Sequence, residues 1–375
     1  MRLLFICNTY MQLLSALRIK TELYSDYEAD LILSDHSLGA KRTADNIGDE
    51  EIFKIIKFCD TKFFTYEQSW LQDLIDVFRV VIGGGKKYKR YLPQVEYYYS
   101  KIFYYNLDAI VFMAFDVSIR RGYVPECVLM EETVGGSGII LQGRIRISTR
   151  IVLARKIRNL LGKKDVYNET RMVYSFNPDI YPKSGQINVA SIPQIDRNDD
   201  NSIALFKRVF SYEFMGDFPE TILFFGSSAD IDGYSICESD FIIDLFQKMN
   251  PGSIRIKPHP RDGRDVYKKA GISIMESSDV PWEVMQLTTD FSKHIFVTTG
   301  SSSLINAASM FEDAVETYMI YPIFRDRDER YYQFMENLIR PTLVNLQSIG
   351  KCRNITIIEN EDEWEKVLDM HFQIN

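Results

Sequence analysis

An unbroken apolar run at residues 3–7 stops at the polar pair Asn8-Thr9, and from there to residue 23 the apolar positions Met11, Leu14, Ala16, Leu17 and Ile19 recur at helical spacing. A continuous apolar run predicts a parallel strand covered on both faces, and a 3.6-residue period predicts the helix packed on it. The first unit of the chain therefore reads as strand, tight turn, helix. Further strands are expected at 29–33, 109–112 and 127–130, with long aromatic helical stretches at 70–81 and 94–105 between them.

The same alternation returns in the second half. Strands are expected at 222–225, 253–257, 295–298 and 317–320, and helices at 240–249, 265–270, 304–310 and 362–372. Between the halves lies Gln194-Ile195-Asp196-Arg197-Asn198-Asp199-Asp200-Asn201, a polar stretch with little to bury. Strands alternating with helices on both sides of it predict an α/β chain of two Rossmann-like domains, 1–196 and 197–375, facing each other across a cleft. A length of 375 residues suits two cores better than one.

Composition narrows the function. With 46% hydrophobic and 26% charged residues the chain reads as a globular enzyme, and a net charge of −8 argues against a general nucleic-acid binder. One stretch departs from that balance. Residues 144–164 hold Arg144, Arg146, Arg150, Arg155, Lys156, Arg158, Lys163 and Lys164 without an acid, and their apolar positions give an amphipathic helix. Such a helix presents a solvated or ligand-facing surface, or attaches to an anionic inner membrane leaflet. Cys7, Cys59, Cys127, Cys237 and Cys352 are odd in number and lack zinc-ligand spacing, which fits reduced thiols. The apolar start is too short for a signal peptide, and no apolar run reaches about eighteen residues. The expectation is a cytoplasmic protein with at most peripheral membrane contact.

The chemistry concentrates in two motifs of the second half. Ile254-Arg255-Ile256-Lys257-Pro258-His259-Pro260 is a short strand that delivers Lys257 and His259 at its carboxyl end, where prolines stop the pairing. Val297-Thr298-Thr299-Gly300-Ser301-Ser302-Ser303 is a strand, a glycine turn and a run of hydroxyls opening a helix. A serine-rich helix start offers hydroxyl and N–H donors along a favourable dipole, which suits an anionic phosphate. A nucleotide sugar or nucleotide phosphate is the expected ligand. Glu283, at the start of the helical stretch after Pro281-Trp282, is placed to accept from ribose hydroxyls or simply to complement the helix dipole. In the first half, Glu131 and Glu132 end a strand, either as a general base for a sugar hydroxyl or as an exposed turn. The tripeptides Asp230-Ile231-Asp232 and Asp326-Arg327-Asp328 spell an acid pair used by some metal-dependent transferases, but no metal is expected here.

Taken in order, residues 5–17, the pair Glu131-Glu132, Lys257-Pro258-His259-Pro260, Pro281-Trp282-Glu283 and the serine run resemble bacterial sialyltransferases, more narrowly those of glycosyltransferase family 52 that finish lipooligosaccharide and capsular polysaccharide chains. The resemblance implies a GT-B fold, a CMP-sialic acid donor, a galactose-terminated acceptor, and an inverting displacement without cofactor or metal. It further implies that Lys257, His259, Gly300, Ser301, Ser302 and Ser303 hold the CMP phosphate and that Glu283 takes the ribose. Asn8, Thr9 and Gln12 match the loop facing the donor sugar, and the catalytic base is sought among Asp230, Asp232 and Asp240, with Asp232 first. A homodimer is also implied. The chain departs from the pattern at Thr133, where the family's acidic motif continues with glycine. That departure keeps other readings open: a glucosyl- or polyol-phosphate transferase, or a non-catalytic subunit of capsule assembly.

Overall fold

The computed structural model describes residues 2–371 apart from 36, 38, 60–69, 82–89, 94–97, 132–148, 182–186, 213–218, 250–251, 260–261, 263, 276–279 and 312–314. Glu132, Thr133, Arg144, Arg146 and Pro260, singled out above, lie outside the described residues. The chain forms two compact units. One runs to Gln194 and takes in Arg208–Ser211; the other holds Ile195–Lys207 and the chain from Tyr212 onward.

In the first unit, strands β1 (Arg2–Cys7), β2 (Glu28–Ser34), β3 (Ile55–Cys59), β4 (Lys101–Tyr104), β5 (Glu126–Met130), β6 (Thr170–Ser175) and β7 (Asn188–Ser191) lie in the order β3-β2-β1-β4-β5-β6-β7. Every pairing is parallel. Leu3, Leu4 and Phe5 are fully buried, which is why β1 shows no polar alternation. Phe5 stacks on Phe103 with ring centroids 4.4 Å apart, joining β1 to β4 where the strand order reverses.

The second unit repeats the scheme. Strands β8 (Ile222–Phe225), β9 (Ile254–Lys257), β10 (Ser273–Ile274), β11 (Ile295–Thr298), β12 (Thr317–Met319) and β13 (Ile355–Ile357) are all parallel, in the order β10-β9-β8-β11-β12-β13. Trp282 packs edge-on against Phe225 at 4.5 Å and Phe296 at 5.2 Å, seating the helix Trp282–Thr288 on the two central strands. Both sheets thus have the doubly wound order in which the chain starts centrally and reverses once, and the two-Rossmann, GT-B-type fold follows from it.

Two expected elements exchange types. Residues 109–112, expected as a strand, open the helix Ala109–Arg120, and the Asp108 carboxylate caps it by accepting from the N–H groups of Ile110 and Val111. Ala109 through Phe115 are all buried, so the helix is apolar around its circumference, and four apolar residues do not separate a buried strand from a buried helix. The reverse holds for 94–105, expected as a helix, whose described part contains β4. Ile102, Phe103 and Tyr104 are buried and of the bulky types that favour a pleated strand. The expected helix at 10–23 is α-helical over Tyr10–Arg18 and ends in a π-helical turn, Ile19–Leu23. Among the described residues no helix is long and apolar enough to cross a membrane.

Candidate functional site

In a doubly wound sheet the loops leaving the carboxyl ends of the strands beside the order reversal diverge, and the crevice between them is where ligands bind. In the second unit these are the loops after β8 and β11, with the end of β9 adjoining β8. Gly226 follows β8 and donates its N–H to the Lys257 carbonyl at 3.0 Å. A Cβ on Gly226 would lie 3.3 Å from the His259 nitrogen and 3.5 Å from the Pro258 Cα, so its absence lets the two chain ends run side by side.

After β11 the chain turns on Thr298. Its hydroxyl donates to the Phe225 carbonyl at 2.9 Å and accepts from the N–H groups of Gly300 at 3.0 Å and Ser301 at 2.8 Å. The turn delivers Ser301 as N-cap of the helix Ser302–Met310, yet the Ser301 side chain makes no capping bond. The hydroxyls of Ser301, Ser302 and Ser303 are half-buried and have no hydrogen-bond partner among the described residues. A helix start with idle hydroxyls and open N–H groups is suited to an anion. Gly300 has a packing cause: a Cβ there would collide with the Tyr331 hydroxyl and lie 2.8 Å from the Met335 Cε.

His259 is half-buried, and its carbonyl accepts from the Asp262 N–H at 2.8 Å. The neighbouring Asp262 carboxylate, bonded to Arg264, is held below the usual carboxylate range, with His259 contributing to that shift. Lys257 is buried, and burial lowers the pKa of its ammonium against the opposing pull of Glu283. Glu283 is buried too. Burial raises its carboxyl pKa, while Lys257 and a hydrogen bond from the Asn306 side chain oppose the rise. Charge attraction between Lys257 and Glu283, and the hydrogen bond between Glu283 and Asn306, thus couple the end of β9 to the helices Trp282–Thr288 and Ser302–Met310.

The acids upstream of the histidine motif separate by environment. The Asp230 carboxylate accepts from the N–H groups of Cys237 at 3.0 Å and Glu238 at 3.1 Å, a capping role. Asp232 is exposed and accepts from the Ser228 hydroxyl at 2.6 Å, and Asp240 is exposed on the helix Glu238–Lys248. The unforeseen residue is Glu238. It is buried, accepts the Ser227 N–H on both oxygens at 3.0 Å and the Thr299 hydroxyl, and burial pushes its carboxyl up to about 7. The second acid tripeptide is structural: Asp328 caps the helix Glu329–Ser348 and pairs with Arg330.

The first unit has its own polar cluster at the reversal between β1 and β4. Thr9 caps the helix Tyr10–Arg18, accepting from the Gln12 N–H at 3.3 Å. The Asn8 N–H donates to the Gln12 Oε1 at 2.7 Å, and the Asn8 Nδ2 donates to Asp108 at 3.1 Å. Asn8 Oδ1, Gln12 Nε2 and Asn177 Oδ1 are buried without hydrogen-bond partners among the described residues. Burial lifts the Asp108 carboxyl to about 6 and that of Glu131 to about 7, although both accept hydrogen bonds. Glu131 is not an exposed turn. It is buried at the end of β5 and accepts from the Ser175 hydroxyl at 2.8 Å and from the Phe176 N–H, latching β5 to β6.

The predicted residues therefore gather into two groups, each at the carboxyl edge of its own sheet: Lys257, His259, Glu283 and Gly300 to Ser303 in the second unit, and Asn8, Thr9, Gln12 and Glu131 in the first.

No protein-family model matches the chain, and no curated protein matches it. Solved structures are similar over almost the whole length. LpCGTa in complex with UDP has a TM-score of 0.52 at 11% identity, covering 99% of this chain and 90% of its own. A UDP-glucosyltransferase from Polygonum tinctorium has a TM-score of 0.50 at 10% identity with the same coverage, 99% and 90%. The GT-B domain of a sialyltransferase from Photobacterium damselae has a TM-score of 0.49 at 10% identity, covering 95% of this chain and 98% of that one. At such identities the likeness to the first two establishes a shared two-Rossmann fold and nothing finer.

Proposed function

We propose that the protein is a glycosyltransferase using a nucleotide-activated sugar and, more narrowly, that it moves sialic acid from CMP-sialic acid to a galactose-terminated surface glycan with inversion. The observation that carries the broader reading is the set of idle hydroxyls at Ser301, Ser302 and Ser303, at the carboxyl edge of a doubly wound sheet beside His259. The narrower reading rests on the ordered motif resemblance. In this scheme an acceptor hydroxyl attacks the anomeric carbon, the bond to the phosphate oxygen breaks, and the serines with protonated His259 hold the charge that develops on departing CMP. In this scheme Lys257, at the end of β9, adds positive charge toward the phosphate, opposed by burial and supported by Glu283. Asp232 takes the acceptor proton: it is solvent-exposed, whereas Asp230 is engaged as a cap. No resident metal takes part in this reading.

A UDP-activated donor is the second reading, favoured by the UDP bound to LpCGTa and the UDP-glucosyltransferase activity named for the Polygonum neighbour. Release of CMP from CMP-sialic acid with a panel of galactosides, beside UDP release from UDP-sugars, decides between them. Galactoside-dependent CMP release that collapses in His259→Ala supports the sialyl reading. UDP release alone replaces it, and release of neither nucleotide removes both.

A further inference from the structure

Two helices of the first unit, Trp70–Val81 and Thr149–Leu160, pack against each other yet leave large apolar side chains in solvent. Leu74 is 52% and Phe78 65% exposed, four residues apart on one helical face, while Leu160 and Leu161 are 87% and 61% exposed at the end of the other helix. The carboxyl ends of the two helices lie together. The Lys163 ammonium donates to the Val81 carbonyl at 2.9 Å, and the Arg158 guanidinium donates to the Val80 carbonyl at 3.1 Å. Single exposed leucines are ordinary, but large exposed apolar side chains on both helices, with Phe78, Leu160 and Leu161 in the last turns that lie together, mark a binding surface.

The charge around the leucines indicates what binds. Part of the basic run is structural: Arg158 is fully buried, paired with Asp116 and laid over the Phe112 ring at 4.8 Å. Arg155 bonds to Asp165 at 2.6 Å and stacks on Tyr167. Lys156 and Lys164, by contrast, are exposed and have no side-chain partner among the described residues. The stretch from 149 to 164 contains no acid in a chain of net charge −8. By sequence the other helix adds no net positive charge, so the positive charge comes from the helix Thr149–Leu160 and the turn after it. Exposed leucines beside unpaired lysines complement the acyl boundary and phosphates of an anionic bilayer.

We infer that this two-helix surface docks on an anionic lipid bilayer, with Phe78, Leu160 and Leu161 entering the headgroup boundary and Lys156 and Lys164 meeting lipid phosphates. The inference is independent of the sugar donor. Co-sedimentation of the full chain with phosphatidylcholine vesicles, with and without phosphatidylglycerol, tests it. Binding is expected only to the anionic vesicles, to weaken in high salt, and to fall about fivefold for each of Lys156→Gln and Lys164→Gln. Leu160→Ser and Leu161→Ser should each lower it about tenfold, with thermal melts unchanged because the side chains are exposed. Failure of the wild-type chain to bind anionic vesicles overturns the inference. So does conversion of a dimer to a monomer by the leucine variants without vesicle binding, which would make the surface a subunit contact.

Discussion

The Thr299 hydroxyl donates to the Glu238 carboxylate, fastening the loop after β11 to the first residue of the helix Glu238–Lys248 beside the point where the second sheet reverses its strand order. Ser227, in the loop after β8, donates its N–H to the same carboxylate, so one buried acid holds both loops that frame the candidate phosphate site. Asp230, Tyr267 and Tyr331 are the titratable groups whose charge acts on Glu238 or responds to it.

Glu238 should make the fold less stable as pH rises. Its carboxyl titrates near 7 in the folded chain against an ordinary 4.5, so between these values the folded state holds a proton that the unfolded state has lost. Stability attached to that proton is complete below the ordinary value and lost as pH climbs through about 7, a change of roughly 3 kcal/mol. Glu238→Gln keeps an acceptor for Ser227 and removes the titration. Urea unfolding at pH 5 and pH 8 should show the wild type weakening across the interval more than the variant. Parallel loss in both proteins would assign the pH dependence elsewhere, to Glu131 for example.

Lys257 and Glu283 are predicted to be worth more as a pair than either is alone. Removing one partner leaves the other charge buried, which typically costs about 3–5 kcal/mol, while replacing both by apolar groups is often neutral. Lys257→Met should therefore destabilise the second unit by about 3 kcal/mol, and Lys257→Met with Glu283→Leu should recover most of that loss. Denaturation of the four proteins of the cycle measures the coupling. Additive losses would mean that the two charges do not share one site.

Asp108 is predicted to tolerate asparagine and to reject alanine. Its two oxygens divide the work, one capping the helix Ala109–Arg120 and one accepting from the Asn8 Nδ2. Asparagine caps as well as aspartate. Its amide would face Asn8, but Asn8 Oδ1 has no partner among the described residues, so turning the Asn8 amide over restores the bond. Asp108→Asn should cost less than about 1 kcal/mol, whereas Asp108→Ala loses the cap and strands the Asn8 donor, about 2–4 kcal/mol together. The asparagine variant should also lose the titration near pH 6.

How much of this was legible depended on whether the cause was local. β1, β8 and β11 announce themselves because a central parallel strand must be apolar on both faces. The serine run after β11 is readable for the same reason, since the strand ahead of it fixes which end of the sheet it occupies. Residues 109–112 mislead because a helix buried all round loses its period. Glu238 reads as an ordinary first-turn glutamate, and its role depends on Thr299, 61 residues away. The attraction between Lys257 and Glu283 is equally invisible from spacing, because crossover connections set it rather than any period.

Ser301 offers the sharpest separation of binding from folding. A serine at a helix N-cap ordinarily contributes about 1 kcal/mol through its side-chain bond, but the Ser301 hydroxyl makes none. Ser301→Ala should therefore leave the melting transition within the ±0.5 kcal/mol or so typical of neutral sites. If its hydroxyl meets the leaving phosphate, donor turnover should still fall, and His259→Ala should lower kcat by about 10²–10³-fold, the usual effect of losing a donor aimed at developing charge. Chelation with EDTA should leave the wild-type rate unchanged in this reading. Should Ser301→Ala destabilise the fold by a full cap's worth while turnover holds, the serine is a cap in solution and the phosphate contact must come from Ser302, Ser303 and the helix N–H groups.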